Sequence, residues 1–160
     1  MYVNLTLRKK TGTYALMIAI ALAVGGLSAL VNAGEFSTPE LIRPALSPPA
    51  WLFPVVWTLL YTLLGVSAAR ILLSGDPAAG DAVFLWATQL VVNFLWTLFY
   101  FRFRALALSF FWLIFLLLLV LLMVRRFWEI DKTAARLQIP YVVWLCFAAC
   151  LNLATWLLNR

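Results

Sequence analysis

The chain has 160 residues, of which 66% are apolar or aromatic and 11% are charged. A soluble domain of this length cannot hide so much apolar surface in one core, so the excess must face something other than water. The net charge of +6 does not indicate nucleic-acid binding, because the basic residues lie at the ends of apolar segments, where they set membrane topology. The chain has no histidine, which excludes histidine-ligated haem, histidine-ligated zinc and Ser-His-Asp catalysis.

Five uncharged segments follow one another along the chain, and each has 18 or more residues. As an α-helix, a segment of that length crosses the roughly 30 Å hydrocarbon core of a bilayer. The segments lack the alternating pattern of barrel strands. The sequence therefore predicts an all-α integral membrane protein, a single domain over residues 1–160 built as a bundle of five transmembrane helices. The predicted helices cover about 13–32, 50–73, 82–101, 105–125 and 137–159.

The basic residues are divided unequally between the two ends of this bundle. Eight lie on the N-terminal side: Arg8, Lys9, Lys10, Arg70, Arg125, Arg126, Lys132 and Arg136. Four lie on the other side: Arg43, Arg102, Arg104 and Arg160. By the positive-inside rule, this bias predicts a multi-pass protein of a bacterial cell membrane with a cytoplasmic N-terminus.

The first segment permits two interpretations. The basic residues 8–10, the apolar run and the small residues in 31–33 are compatible with a cleaved signal peptide. The run is long for a signal peptide, however, and Ala15, Ala19 and Ala23 recur at the spacing of a packed membrane helix. We therefore favour a membrane helix, whose small residues could pack within the monomer or between two copies.

The longest connection is the loop 33–49, which contains Pro44, Pro48 and Pro49 and leads to Trp51. Prolines fix backbone angles and cannot continue a helix from upstream, so the loop should approach the membrane surface stiffly. A long loop in a compact protein is often a functional lid. The pattern predicts a lid over one end of the bundle, and an ordinary rigid connector is the alternative.

The eight tryptophans fall into two groups. Four lie near predicted helix ends, as an interfacial belt would place them: Trp51, Trp86, Trp128 and Trp156. Four lie deeper: Trp57, Trp96, Trp112 and Trp144. Deep tryptophans either pack against neighbouring helices or line a cavity for a flat aromatic ligand, since an indole offers a large rigid stacking surface.

Polar side chains share helix faces with the deep aromatic residues. Gln89, Asn93 and Trp96 lie on one face of the third helix, at spacings i, i+4 and i+7. Similar faces carry Trp57 and Tyr61 on the second helix, and Tyr141, Trp144, Ala148 and Asn152 on the fifth. Buried amides are costly unless paired, so these amides should point into the bundle. They either join helices or complete a ligand pocket.

The acidic residues and the cysteines give no indication of transport or of metal binding. No acidic residue lies within a predicted helix and no internal repeat is evident, which disfavours proton-coupled and inverted-repeat transport. Cys146 and Cys150 are expected to be buried small apolar residues rather than metal ligands.

Three groups of motifs occur in order along the chain. Around the second helix they are Arg43-Pro44, Pro48-Pro49-Ala50-Trp51, Val56-Trp57 and Leu60-Tyr61. On the third helix they are Gln89-Leu90, Asn93, Trp96 and Phe99-Tyr100-Phe101. At the end they are Ala134-Ala135-Arg136-Leu137, Pro140-Tyr141, Trp144, Phe147-Ala148 and Leu151-Asn152. Together these motifs resemble the TspO/MBR family of translocator proteins and tryptophan-rich sensory proteins, from about residue 14 to the end of the chain.

The resemblance implies a five-helix bundle, often a homodimer, with a cavity beneath the first loop that binds porphyrins such as protoporphyrin IX and requires no cofactor. Together with the helix faces, it gives these candidate ligand-binding residues: Trp57, Tyr61, Gln89, Asn93, Trp96, Trp144, Phe147 and Ala148. The candidate lid residues are Pro44, Pro48, Pro49 and Trp51.

Three functions stay open on this resemblance. The protein could be a receptor or sensor that binds porphyrins and other flat hydrophobic ligands, a light-dependent porphyrin-degrading protein in which Trp57 and Trp144 react, or a transporter of tetrapyrroles or small metabolites. Two departures from the family pattern bear on the ligand. Leu46 stands where a lid tryptophan is often found, and Leu153 stands where animal members have a tyrosine, which disfavours sterol binding.

Overall fold

The computed structural model describes residues 2–34 and 41–160. Within these residues the chain forms six α-helices: α1 (Tyr2–Val31), α2 (Leu52–Leu72), α3 (Ala79–Thr97), α4 (Leu106–Ile130), α5 (Lys132–Arg136) and α6 (Ile139–Leu158). A π-helical turn, Leu98–Arg102, extends α3. In the part of the chain that the structure describes, five segments are long and apolar enough to cross a membrane. The prediction of an all-α, multi-pass integral membrane protein with five spans is confirmed.

The first and fourth helices extend beyond the segments that the sequence predicted. The fourth helix extends to Ile130 rather than 125, and Glu129 lies 3.7 Å from Arg125 and 3.4 Å from Arg126. Such i,i+4 and i,i+3 pairs favour helix in contact with water. The first helix begins at Tyr2 rather than 13.

The last span is divided in two. The predicted helix 137–159 begins at Ile139, after the five-residue α5. The carboxylate of Asp131 starts α5 by accepting hydrogen bonds from the backbone N–H of Thr133 at 2.8 Å and of Ala134 at 3.1 Å. Such a side chain satisfies N–H groups that have no partner within the helix.

Asp131 also joins this turn to the end of α2. Arg70 Nε donates to Asp131 Oδ2 at 2.8 Å, and Arg70 Nη2 lies 2.8 Å from the same oxygen. Partial burial raises the pKa of Asp131, but the two backbone hydrogen bonds and the charge of Arg70 together lower that pKa below its ordinary value. The carboxylate therefore stays ionised in the folded protein at neutral pH.

Helices α1 and α2 approach each other most closely at Gly65. A Cβ atom at this position would lie 2.7 Å from Ile18 N and would also collide with Ile18 Cα. Only a residue without a side chain permits this backbone contact, as in many membrane helix pairs. The glycine therefore fixes the distance between the two helices at this level.

The remaining helices complete the bundle through successive contacts of α2 with α3, α3 with α4, and α4 with α6. The core between them contains fully buried side chains: Leu64, Ile71, Leu113, Leu116, Met123, Phe127 and Leu145. The amides Gln89, Asn93 and Asn152 are also buried, so the prediction that they point into the bundle is confirmed.

Two predictions of side-chain exposure are wrong. Trp86 is only 2% exposed and belongs to the core rather than to an interfacial belt. Asp76 accepts a hydrogen bond from Ala78 N at 2.8 Å, and α3 begins at Ala79, three residues earlier than predicted, which places Trp86 about two turns inside. Cys146 and Cys150 lie on the exposed face of α6, because the opposite face is the one that packs into the bundle.

The three alanines of the predicted small-residue stripe on α1 face outward. Ala15, Ala19 and Ala23 are exposed. Packing within the monomer therefore does not explain their spacing, and a role between two copies stays a prediction.

Candidate functional site

A cavity of about 620 Å³ lies between α1, α2, α3 and α6, at the end of the bundle where α2 begins. Seven aromatic side chains line it: Phe53, Trp57, Tyr61, Trp96, Tyr100, Phe101 and Trp144. Pro44, Ser47, Pro48 and Ala50 of the preceding loop line it as well. The cavity is therefore an aromatic chamber within the membrane-spanning part of the chain, with the loop at one end.

The wall between α2 and α6 is built from rings that meet nearly at right angles. The ring centroids of Trp57 and Trp144 are 6.5 Å apart with an interplanar angle of 86°. Phe53 contacts Trp144 at 5.9 Å and 76°, while Trp57 lies over Tyr61 at 5.4 Å and 31°. Edge-to-face pairs of this kind are favourable and hold large rings in fixed orientations. Two indole surfaces thus meet at one corner of the cavity.

The opposite wall comes from the end of α3. Trp96 stacks on Tyr100 with centroids 5.5 Å apart and an angle of 28°. The π-helical turn, in which Phe103 N donates to Leu98 O at 2.9 Å, widens the helix here. As a result the consecutive residues Tyr100 and Phe101 both reach the cavity. Single π turns inside α-helices are frequent at functional sites.

One polar group at the cavity is held by several helices. Asn152 on α6 is 1% exposed and lines the cavity, and its amide lies within hydrogen-bonding distance of Ser109 Oγ. With the amide turned to satisfy both of its ends, its oxygen accepts from Trp96 Nε1 at 3.2 Å and its nitrogen donates to Leu106 O at 3.2 Å. Asn152 therefore fixes the orientation of the Trp96 indole.

A second polar layer lies behind the aromatic wall. Asn93 Nδ2 donates to the Tyr61 hydroxyl at 3.0 Å, and the Tyr141 hydroxyl donates to Gln89 Oε1 at 2.9 Å. Both amides are fully buried. Asn93 Oδ1 and Gln89 Nε2 have no hydrogen-bond partner among the described residues. One hydrogen-bond acceptor and one donor therefore remain unused behind the aromatic wall.

Tyr61 fits against α1 only because Gly25 is there. A Cβ at Gly25 would lie 2.6 Å from Tyr61 Cδ2. Gly26 also lines the cavity, but a Cβ there would meet nothing within 4 Å. Gly25 therefore sets the position of the Tyr61 ring.

The loop that precedes α2 is tied to the end of α6. Asn159 Oδ1 accepts from Ile42 N at 2.9 Å, and Asn159 Nδ2 donates to Ile42 O at 3.0 Å. Beyond this point the chain turns, with Ser47 N donating to Pro44 O at 3.0 Å. Residues 35–40 of the predicted 33–49 loop lie outside the described residues.

The cavity lining is almost free of charge. Arg43 is the only charged side chain that lines it within residues 2–34 and 41–160. In the same part of the chain, no three cysteine, aspartate or glutamate side chains converge as a metal site would require. The cavity can therefore bind an organic ligand through ring contacts, a few neutral polar groups and one cation.

The TspO/MBR family model matches residues 16–157, which is most of the chain. The chain belongs to the TspO/MBR family. Protein CrtK of Rhodobacter capsulatus is 34% identical over 148 residues, which cover 91% of this chain and 92% of that protein. Tryptophan-rich protein TspO of Chlorobaculum tepidum is 31% identical, over 96% of this chain and 99% of its own length. Translocator protein of Sus scrofa is 29% identical, over 75% of this chain and 73% of its own length.

In this TspO/MBR protein, the cavity brings together five of the eight candidate ligand-binding residues: Trp57, Tyr61, Trp96, Trp144 and Ala148. The other three do not line it. Gln89 and Asn93 lie in the polar layer behind the wall, and Phe147 packs on Trp144 with centroids 5.6 Å apart. Their roles in binding would be indirect, through the rings that they orient.

The lid candidates are divided in the same way. Pro44 and Pro48 line the cavity, whereas Pro49 does not and Trp51 is 66% exposed. The TspO/MBR loop thus presents two of these three prolines to the cavity. It leaves Trp51 on the surface, where an interfacial tryptophan belongs.

Several lining residues were not predicted as part of the site: Phe53, Tyr100, Phe101, Thr155 and Arg43. Tyr100 continues the spacing of Gln89, Asn93 and Trp96 by one helical turn, so its position in the sequence was a usable signal. Phe101 had no such signal, because only the π-helical turn brings it inward.

Proposed function

We propose that this TspO/MBR protein binds a planar hydrophobic tetrapyrrole of the protoporphyrin IX type in the aromatic cavity, as a membrane receptor or sensor. The observation that carries the proposal is the pair of indoles, Trp57 and Trp144, which meet at 6.5 Å on one wall of a cavity of about 620 Å³. Ligand pockets typically measure about 300–1,000 Å³ and combine apolar walls with a few polar groups.

The binding free energy would come mainly from apolar contact. Burial contributes about 25 cal/mol per Å² of apolar surface, and part of this is lost to ordering the ligand and the side chains. The rings of this cavity are already fixed by edge-to-face contacts and by the Asn152 amide, which reduces the ordering cost. The loop 41–50 would cover the ligand at the open end.

A titration of the purified protein with protoporphyrin IX tests the proposal. We expect saturable quenching of tryptophan fluorescence, and at least about tenfold weaker binding when Trp57→Leu and Trp144→Leu are combined, because both large apolar indole contacts with the ligand are then lost. The affinity of the variant is measured from the absorbance of the porphyrin, since fewer tryptophans remain to report binding.

Trp128→Leu is the matched control. Trp128 lies near the C-terminal end of α4 and is 46% exposed. It contacts Arg136 and does not line the cavity. This variant should bind with wild-type affinity. Absence of saturable binding, or a double variant with wild-type affinity, would refute the proposal.

Light-driven conversion of the bound porphyrin is a second candidate, favoured by the same indole pair. An excited porphyrin can oxidise an indole held against it, and this chemistry needs no acid, base or metal. Illumination of the complex in air should then produce a new absorbance band that is lost in Trp57→Phe and Trp144→Phe. Bleaching without a new product band would leave binding as the function.

A further inference from the structure

We infer that Arg43 selects, among planar hydrophobic ligands, those that carry an ionised carboxylate at one edge. This inference rests on the proposed function and adds the ligand's chemical class. It follows from the charges that line the cavity: among residues 2–34 and 41–160, the lining side chains of the helices are neutral and the charged one, Arg43, lies on the loop.

The walls of the cavity offer nothing to an ionised group. The polar side chains that line them in the described residues, such as Thr58, Tyr61 and Asn152, are neutral. A carboxylate placed among them would lose its hydration without gaining an opposite charge, which is strongly unfavourable. Any ionised group of a ligand should therefore lie at the loop, beside Arg43.

The backbone that carries Arg43 is held in place from α6. Its neighbour Ile42 exchanges two hydrogen bonds with the Asn159 side chain, at 2.9 and 3.0 Å. Asn159 Nδ2 also donates to Thr155 O at 2.7 Å, and Thr155 lines the cavity. On the other side, Pro44 has a fixed φ angle. Asn159 is thus a positioning residue that keeps the Arg43 backbone at the cavity.

The chemistry of arginine suits this position. A guanidinium is always charged and presents paired N–H donors that match the two oxygens of a carboxylate. Arg43 is exposed, so water and salt weaken the pairing, and its contribution should be moderate and should fall with ionic strength. Selectivity for carboxylate rather than total affinity is the quantity that should depend on it.

The test compares protoporphyrin IX with its dimethyl ester, which has the same ring and no ionised carboxylate, on the full chain in detergent at low salt. We expect the wild-type protein to bind the acid about five- to tenfold more tightly than the ester. In Arg43→Gln this ratio should fall to about one while the affinity for the ester is unchanged. Arg43→Lys should retain part of the ratio, because the charge remains without the planar fork.

Two further variants separate the site from the general surface potential. Arg160→Gln removes one positive charge at the same end of the bundle, outside the cavity lining, and should keep the wild-type ratio. Asn159→Leu keeps Arg43 but removes the hydrogen bonds to Ile42, and should lower the acid-to-ester ratio.

The outcomes distinguish this inference from the proposed function. If neither probe binds saturably, the proposed function is refuted, and this inference with it. If both probes bind equally to the wild-type protein, or if Arg43→Gln weakens both to the same extent, ligand binding stands and the selectivity assigned to Arg43 is overturned.

Discussion

Replacing Gly65 by alanine tests whether α1 and α2 are held in direct backbone contact. The new Cβ would lie 2.7 Å from Ile18 N, where an ordinary contact is 3.4–4 Å, and closer still to Ile18 Cα. Because the obstacle is main chain rather than a movable side chain, the helices must separate. Overpacking of this kind costs up to about 3 kcal/mol. The better helix propensity of alanine returns at most about 1 kcal/mol, so we expect a net loss of about 2 kcal/mol.

Equilibrium unfolding by SDS in mixed micelles, followed by tryptophan fluorescence, measures this loss. Gly80→Ala is the matched control, since a Cβ at Gly80 on α3 would meet nothing within 4 Å. The control should equal the wild type or exceed it by up to about 1 kcal/mol. If Gly65→Ala proves as stable as Gly80→Ala, the close approach of α1 and α2 is not a constraint on the fold.

Three further predictions concern the site and the opposite end of the bundle. Gly25→Ala should displace the Tyr61 ring and weaken protoporphyrin IX binding by about tenfold in the fluorescence titration. Gly26→Ala is the control and should weaken binding much less, because a Cβ at Gly26 meets nothing within 4 Å. Equal effects of the two substitutions would contradict the contact between Gly25 and Tyr61. Asn152→Leu should lower the free energy of unfolding by about 1–2 kcal/mol, because one amide joins three helices, and an unchanged SDS midpoint would count against that role. The pKa of Asp131 is lowered in the folded protein, so its carboxylate stabilises the fold above the ordinary pKa of 3.8, and this stabilisation is lost as the pH falls through the folded-state pKa. Asp131→Asn should therefore remove at most about 1 kcal/mol from the pH dependence of the free energy of unfolding in that acid range. A variant whose unfolding free energy has the same pH dependence as that of the wild type would refute the pairing of Asp131 with Arg70.

The number of membrane spans and their helical structure followed from the sequence because charge is costly in hydrocarbon. Each uncharged segment had to become a span, and each span had to be a helix. The same cost placed Gln89, Asn93 and Asn152 inside the bundle, since an amide facing lipid has no partner. These predictions needed only the transfer free energy of single residues, without knowledge of their neighbours.

The rotation of each helix about its axis and the exact helix ends could not be predicted from the transfer free energies of single residues. Trp86 lies near one end of its apolar segment, but its burial depends on the earlier start of α3 and on which face meets α2 and α4. The exposure of Cys146 likewise follows from the side of α6 that packs inward. A position along the chain predicts depth in the membrane and leaves the direction of the side chain open.

Only part of the candidate site could be predicted, because the sequence does not show how the helices are placed relative to one another. Trp57 and Trp144 belong to helices that are distant in sequence, and their shared cavity depends on how α2 and α6 are placed by the rest of the bundle. The contact of Asn159 with Ile42 joins residues 117 positions apart. Phe101 reaches the cavity only through a local π-helical turn. Periodicity in the sequence carries no information on contacts of these three kinds.

A structure of the protein with bound protoporphyrin IX tests the central claim most directly, which is that two indoles and the proline-containing loop form one ligand site. The tetrapyrrole should lie within about 4 Å of both indoles, Trp57 and Trp144, which is the usual contact distance of carbon atoms. Because the two rings are nearly perpendicular, it should contact one indole by its face and the other by its edge, with the loop 41–50 over the ligand. Density for the porphyrin on the outer surface of the helices, with the aromatic cavity unchanged, would contradict the account.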